Sequence, residues 1–284
     1  MKGIIIKNRY YSDAGQKYVL DRLTEEFSTR GVEIVLQNSG LLSYDENGDY
    51  VLPYESADFV LFFDKDIALS RALEKKYRVF NSTYTLVACD DKEKTYAEIE
   101  GLGIKIPRTI MSPLMYQSNN NVDNEFENYV CKELGFPMII KENIGSLGMQ
   151  VYIANNSAEV NSIRDKLKHI PHMYQKYEGN YGKDIRTYIV GGKVIAACRR
   201  YNTGSYVSNM SAGGKMELIE INQEFIDIAQ IIANKLKMDY GSVDFVDSKT
   251  PIFLEANSNA YFRAIEKLGV NIAAPIAEYI IKSC

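Results

Sequence analysis

The stretch Tyr240–Asn257, reading YGSVDFVDSKTPIFLEAN, constrains the fold of this 284-residue chain more than any other. Two strand-forming runs, Ser242–Asp247 and Ile252–Asn257, flank Ser248-Lys249-Thr250-Pro251, a turn-forming cluster. If Asp247 pairs with Ile252, Asp244 stands opposite Glu255 and Ser242 opposite Asn257. Side chains alternate along a strand, so Asp244, Glu255 and Asn257 then project from one face. Two carboxylates directly opposite each other repel. Their apolar neighbours (Val243, Phe245, Ile252, Phe253, Leu254) make solvation of the pair harder. A hard cation relieves the repulsion. Magnesium prefers oxygen ligands and usually takes only one or two protein carboxylates, leaving the rest to phosphate and water. The hairpin alone equally allows a half-exposed ribbon with two solvated acids, so the rest of the chain has to decide.

The chain is long enough to bury a substantial core, and its length suggests about two domains. At 46% hydrophobic and 25% charged it has the composition of a soluble globular protein. A net charge of −4 and the lack of a basic run argue against a nucleic-acid surface. The opening MKGIIIK is too short for a signal peptide or membrane span, and no later stretch reaches about 18 apolar residues, so no membrane partner is expected. Four scattered cysteines (Cys89, Cys131, Cys198, Cys284) without a CxxC read as reduced thiols of a cytoplasmic protein. The only histidines, His169 and His172, straddle Pro171 and read as loop residues rather than metal ligands, so histidine base chemistry is not expected.

Residues 1–80 have the pattern of an open α/β unit. Gly3–Ile6, Val32–Leu36 and Asp58–Phe63 are strands, with helices over Ala14–Arg30 and Asp66–Tyr77. That order implies parallel pairing and a crevice at the carboxyl ends of the strands, where Lys7, Asn8, Arg9 and Tyr10 sit, though a polar loop explains those four as well. Asn47-Gly48 marks a small hairpin, Leu42–Val51. Helices over Thr83–Cys89 and Lys92–Glu100 follow, then an extended piece from Pro107. A polar loop at residues 119–121 precedes a helix capped by Asp123 or Asn124. Phe136–Lys141 and Met149–Ala154 are strands, and Asn156 with Glu159 reads as a capping box. Met173–Tyr177, Asp184–Val190 and Val194–Arg200 are strands, the last two joined tightly at Gly191-Gly192. Asn222–Lys237 and Asn271–Lys282 are amphipathic helices. The change from a parallel first part to antiparallel hairpins places a boundary near residue 85.

Lys141 ends the run PMIIK and is followed by Gly145-Ser146-Leu147-Gly148. Glycines let amide groups turn toward phosphate oxygens, and a neighbouring lysine adds charge. The spacing is not that of a P-loop, and a plain hairpin turn explains it equally. Asp184 and Arg186 share one face of a strand, with Arg199-Arg200 ending the next. An exposed salt-bridge ladder contributes little in water, whereas forked guanidinium groups match phosphate or carboxylate. Ser208-Asn209 and Gly213-Gly214 lie in a Gly/Ser/Asn loop able to bend over a ligand.

With these residues in place, the chain resembles the ATP-grasp ligases, of the RimK-type glutamate ligase and lysine-biosynthesis ligase kind. The likeness runs over roughly residues 85–282. It rests on ordered motifs: DK at 91–92, KENIGSLGMQV at 141–151, QKYEGNYGKDIRTYIVGGKVIAACRR at 175–200, SNMSAGG at 208–214, VDF at 243–245, LEAN at 254–257 and AIEKLGVNIA at 264–273. The resemblance implies an α/β and α+β ATP-grasp fold in three parts. These are an open parallel α/β domain over residues 1–85, a central subdomain over 86–172, and a C-terminal subdomain with the metal site over 173–284. ATP would lie between two antiparallel sheets. It further implies that Lys92 and Lys141 contact the phosphates or the adenine edge, and that Gly145, Ser146 and Gly148 belong to a mobile loop over the phosphates. Lys176 and Tyr177 would line the adenine pocket and Asp184 would bind the ribose. Arg186 and Arg200 would act on the phosphates or the acyl phosphate together with Lys141. Ser208 and Asn209 would close the nucleotide pocket. Asp244, Glu255 and Asn257 would hold one or two magnesium ions, manganese being an allowed substitute.

The implied activity is ATP-dependent joining of a carboxylate to an amine, an amino acid, through an acyl phosphate, in a homo-oligomer. The acceptor could be a metabolite, a peptide or a carrier protein. Departures from the family pattern fall at Val207 and Ala212, where arginines are common, and at Asn259-Ala260-Tyr261, where Ser-Pro-Gly is usual. They count against glutamate and a ribosomal protein as substrates. A kinase-like enzyme that stops at phosphorylation, or a non-catalytic ATP-binding module, are the other readings. A mere binder would not need all three metal-ligating side chains.

Overall fold

The structure, a computed structural model, describes residues 1–115, 124–206, 208 and 213–284. The polar run at 119–121, the cap expected at Asp123, and Val207, Asn209, Ser211 and Ala212 lie outside the described residues.

The chain opens with β1 (Lys2–Lys7), α1 (Ala14–Thr29), β2 (Glu33–Asn38), the hairpin β3 (Ser43–Tyr44) and β4 (Tyr50–Val51), β5 (Phe59–Phe63), α2 (Ile67–Glu74) and β6 (Arg78–Phe80). β1 pairs in parallel with β2 and β5, and β5 with β6, giving the sheet order β2-β1-β5-β6. Every residue of β5, FVLFF, is buried, as a strand covered on both faces requires. Asp13 and Asp66 cap α1 and α2 by accepting from the amides of Gln16 and Leu69. β6 has no sequence signal, because three residues are too few to show a period.

Two short helices, α3 (Thr83–Asp90) and α4 (Lys92–Glu98), lead into β7 (Thr109–Met111), α5 (Glu125–Leu134), β8 (Met138–Glu142), β9 (Val151–Ala154), α6 (Ser157–Lys166) and β10 (His172–Lys176). The second sheet runs β7-β10-β8-β9, each pair antiparallel. Asn156 does cap α6, accepting from the Glu159 amide at 3.0 Å, while the Glu159 carboxylate reaches back to the Asn155 amide at 2.9 Å. His172 is not a loop residue. It opens β10 directly after Pro171 and is buried, with Nε2 3.2 Å from the Tyr174 hydroxyl.

The last part comprises β11 (Lys183–Val190), β12 (Lys193–Tyr201), β13 (Lys215–Leu218), α7 (Gln223–Lys235), β14 (Tyr240–Val246), β15 (Phe253–Asn257), α8 (Arg263–Glu266) and α9 (Ala273–Ser283). The third sheet is antiparallel, β13-β12-β11-β14-β15. Gly191 and Gly192 take φ of 56° and 74°, the positive angles that a tight two-residue turn demands. The register puts Asp244 opposite Glu255 and Ser242 opposite Asn257, as the sequence implies. Beyond Asp244 a bulge brings Phe253 opposite Phe245, so the hairpin closes one residue out of the expected alignment. All seven residues of β14 are buried, so Asp244 is not a solvated acid, while β15 beside it is partly exposed at Leu254, Glu255 and Asn257.

α7 places Phe225, Ala229 and Ile232 in a core with the third sheet, and Ala88, Cys89 and Tyr96 of α3 and α4 join it. α9 returns to the start of the chain, where Ile276, Ala277 and Ile280 share a core with Leu23, Phe27 and Phe59. Val130, Ile140, Val160 and Tyr174 form a separate core under the second sheet. Among the described residues, no helix is long and apolar enough to cross a membrane.

Candidate active site

The facing surfaces of the second and third sheets bound a cleft. Alternation along β8 sends Ile140 to the core and Lys141 to the opposite face, into the cleft. Lys176 and Tyr177 line the same cleft at the end of β10, with Lys176 Nζ 3.5 Å from Glu178. Asp184, Arg200 and Asp244 line the other wall, and Glu255 stands at its inner end.

The third sheet brings four charges onto one face. Asp184 is opposite Arg200, and Arg186 opposite Asp244. Arg200 donates to both oxygens of Asp184 at 2.6 and 2.8 Å and to Asp244 Oδ2 at 2.8 Å. Arg186 donates to the two Asp244 oxygens at 2.8 and 2.6 Å. The Ser208 hydroxyl donates to Asp184. Their side chains are at most 11% exposed, so this is a buried network and not the surface ladder that the sequence also allowed. Burial works to raise the Asp244 carboxyl, but the two guanidinium groups outweigh it and hold Asp244 below the usual carboxylate range. Burial prevails at Asp184 and pushes it up, against Arg200. Removing one member of such a network strands its partner, a loss of about 3–5 kcal/mol.

Lys141 is 8% exposed. Burial holds its ammonium down to about 8, Lys92 pushes the same way, and Glu255, Asp184 and Asp244 oppose. Lys92 reaches Glu255 from α4, Nζ to Oε2 3.9 Å. At the glycine turn, Leu147 and Gly148 take φ of 59° and 73°, and the Ser146 amide donates to the Gln150 side chain at 3.1 Å. A Cβ on Gly145 would come 2.8 Å from Gln150 Cβ, so only glycine lets that side chain lie there.

The residues fit a hard divalent cation by their chemistry. Two carboxylates and an amide share one hairpin face, the amide oxygen of Asn257 being the ligand that side chain would offer. Asp244 would have to share its oxygens with the guanidinium groups, or release one, to take part.

A second cavity, of about 390 Å³, adjoins the first, and Glu255 lines both. Its walls are the carboxyl ends of β1 and β5 (Asn8, Asp64), the start of α1 (Gln16), the end of α3 (Asp90), and Arg186 with Asn257 from the third sheet. Ser146 and Leu147 of the glycine turn reach its rim. Of the polar run after β1, Asn8 faces this cavity, whereas Arg9 donates to the Ser39 carbonyl and Tyr10 is 94% exposed. The sequence reading missed Gln16, Asp64, Lys65 and Asp90, whereas Asn259, Ala260 and Tyr261, which it singled out as departures, do line this cavity. The crevice rule that singled out the end of β1 applies equally to Asp64-Lys65, directly after β5. Chemically, the two cavities offer a cationic cleft suited to a polyphosphate and, past Glu255, a separate polar chamber.

The family description "RimK-like ATP-grasp domain" matches residues 89–280. The chain is similar to the human "Beta-citrylglutamate synthase B", 29% identical over 293 residues, covering 95% of this chain and 74% of that protein. It is 30% identical over 223 residues to the human "N-acetylaspartylglutamate synthase A", covering 76% of this chain but little more than half, 56%, of that protein. In structure it is similar to a RimK domain ATP-grasp protein from Sphaerobacter thermophilus DSM 20745, with a TM-score of 0.72, 17% identity, and coverage of 98% and 99% of the two chains.

Proposed function

The chain belongs to the RimK-like ATP-grasp family, and from that premise we propose how its residues carry out the ATP-dependent joining of a carboxylate to an amine. The observation that carries the proposal is the facing of Lys141, on the second sheet, and Asp184, Arg200 and Asp244, on the third, across one cleft that ends at Glu255, with Arg186 paired to Asp244 on the wall of the adjoining cavity. A triphosphate entering between the sheets meets Lys141 and Arg200 there and a carboxylate hairpin at its inner end, beyond which Arg186 stands. The adenine end lies toward Lys176 and Tyr177, with Asp184 on the ribose side.

The substrate carboxylate attacks the γ-phosphorus, forming an acyl phosphate and releasing ADP. The amine then attacks the acyl carbon, loses a proton, and expels inorganic phosphate. Both steps need placement and charge stabilisation more than a protein nucleophile. Lys141, Arg186 and Arg200 stabilise charge on the transferring phosphoryl group. Lys92 holds Glu255 in place, and Ser146 with its flanking glycines covers the phosphates and excludes water from the acyl phosphate. Ser208 steadies Asp184. Asp244, Glu255 and Asn257 would hold magnesium, which neutralises charge on the phosphate oxygens when bound.

The same proposal includes division of the chain near residues 85 and 172, a cytoplasmic setting, a homo-oligomer, and an acceptor that is a metabolite, peptide or carrier protein. Both relatives are named as synthases of glutamate-containing products, so glutamate belongs among the amines tested, beside neutral and basic amino acids. With ATP, magnesium and a panel of acids, added hydroxylamine should yield a hydroxamate, because only an acyl phosphate gives one. Glu255→Ala should lower ADP release at least about 100-fold, a loss of about 2.7 kcal/mol in barrier terms. ADP release at the wild-type rate in that variant, or ADP without any hydroxamate, would refute the reading.

A further inference from the structure

The second cavity is rich in acceptors and carboxylates. Asp64 accepts from Asn8 Nδ2 at 2.9 Å and from the Lys65 amide at 2.6 Å, both on Oδ1. Asp90, one-fifth exposed, is held loosely, with Ser258 Oγ at 3.4 Å and Lys65 Nζ at 3.7 Å. Gln16 is 5% exposed, lines the cavity, and its Oε1 has no hydrogen-bond partner. A buried acceptor without a donor is costly, and this one points to a donor that comes from outside the chain.

The cations present do not offset this. Arg186 is already paired with a carboxylate, its Nε and Nη2 both donating to Asp244. Lys65 is half exposed, and its ammonium already lies beside Asp90. The start of α1, whose amides would otherwise favour an anion, is closed by the Asp13 carboxylate, which accepts from the Gln16 amide at 2.6 Å. No free cationic fork waits for a second carboxylate among the described residues of this wall. An ammonium group, by contrast, carries three donors and a positive charge, which suits two carboxylates and an amide oxygen. Tyr11 and Tyr261 give the chamber a flat wall for the rest of the molecule.

We propose that Asp64, Asp90 and Gln16 form an ammonium-reading site, so that the amine substrate of this chain is a neutral or basic amino acid rather than an acidic one. This rests on the ligase reading above, and it separates the chain from relatives named for glutamate products. An acidic amino acid would bring a second carboxylate into a chamber with no unengaged guanidinium.

The test is calorimetric and needs no turnover. The full chain is first titrated with magnesium and a non-hydrolysable ATP analogue, which tests the nucleotide reading by itself. The loaded protein is then titrated separately with glycine, L-lysine and L-glutamate. Glycine or L-lysine should bind at least about tenfold tighter than L-glutamate, a difference of about one ion-pair contact. Asp90→Asn and Asp64→Asn should each weaken that binding about tenfold while leaving analogue affinity within twofold. Asp90→Lys should turn the preference toward L-glutamate. Glutamate binding as tightly as the other two, no heat with either glycine or lysine, or unchanged lysine affinity in both carboxamide variants would each overturn the proposal. Nucleotide binding that fails while amine selectivity holds would instead strike the ligase reading alone.

Discussion

Lys141 is a buried ammonium whose protonation matters near neutral pH, since burial holds it down to about 8. Above that value the free protein presents a neutral amine to an incoming triphosphate. The apparent kcat/KM for ATP should therefore fall as pH rises through about 8. Bound phosphate favours the charged form, so kcat itself should hold to higher pH. Lys141→Gln, with no charge to lose, should be slower but flat over the same range. Stability moves the other way. The unfolded chain keeps this proton up to its ordinary 10.5, so between about 8 and 10.5 the unfolded state binds more protons and folding stability rises with pH. Pairing a pH–rate profile with denaturant midpoints checks both signs. Lys141 was legible in the sequence because it ends an apolar run directly before a glycine turn. The pairing of Arg200 with Asp184 follows from the hairpin at Gly191-Gly192, but the contacts of both arginines with Asp244 were not legible, because the i, i+2 spacing of Asp184 and Arg186 fixes a shared face but not that β14 lies beside it. Gln16 and Asp90 were illegible for the same reason. They are a helix start and a helix end, 74 residues apart, that meet only in the folded molecule.

At the scale of the element, the β14–β15 hairpin is the most informative piece. Its register through Asp244 and Glu255 followed from alternation and turn chemistry alone. Its bulge did not, because Phe253 is drawn out of alignment by a contact from elsewhere, its amide donating to the Lys105 carbonyl at 2.8 Å. Gly241 is the residue that makes the pairing possible. A Cβ there would lie 2.3 Å from the Asn257 carbonyl oxygen, a backbone atom that cannot move without shifting β15. Gly241→Ala should therefore displace Asn257 and cost about 1–3 kcal/mol or more, as overpacked cores do. Its signature is a joint loss, in which the denaturant midpoint falls and magnesium-dependent ADP release falls with it. A variant stable to within about 0.5 kcal/mol would show that the strand yields more easily than the geometry allows.

On the scale of the whole molecule, one carboxylate joins the two ends of the chain. Glu266, with a side chain 5% exposed, accepts from the Tyr18 hydroxyl at 2.9 Å and Arg22 Nε at 3.1 Å on α1. Its other oxygen accepts from the amides of Ile272 and Ala273 at 2.9 and 3.0 Å, where α9 begins. Around it the cores of α1 and α9 merge, while the core under the second sheet remains separate. Glu266→Ala leaves the Tyr18 hydroxyl and two helix-start amides without their acceptor, while Arg22 keeps Glu25 and Glu26, and it should cost about 3 kcal/mol. For a unit of roughly 200 residues that lowers Tm by about 10 °C. The loss should be confined to the unit that contains both chain ends. Calorimetry should show its transition moving down while that of the second-sheet unit stays within about 2 °C, because changes at sites with no shared partners add independently. The chain has no tryptophan and 21 tyrosines, so near-ultraviolet circular dichroism of tyrosine follows the same unfolding. Glu266→Gln keeps an oxygen for the α9 amides but loses the charge facing Arg22, so it should recover part of the difference. If both transitions fell together in Glu266→Ala, the second-sheet core would be coupled to the rest, and the separation of cores would not mark a separately unfolding unit.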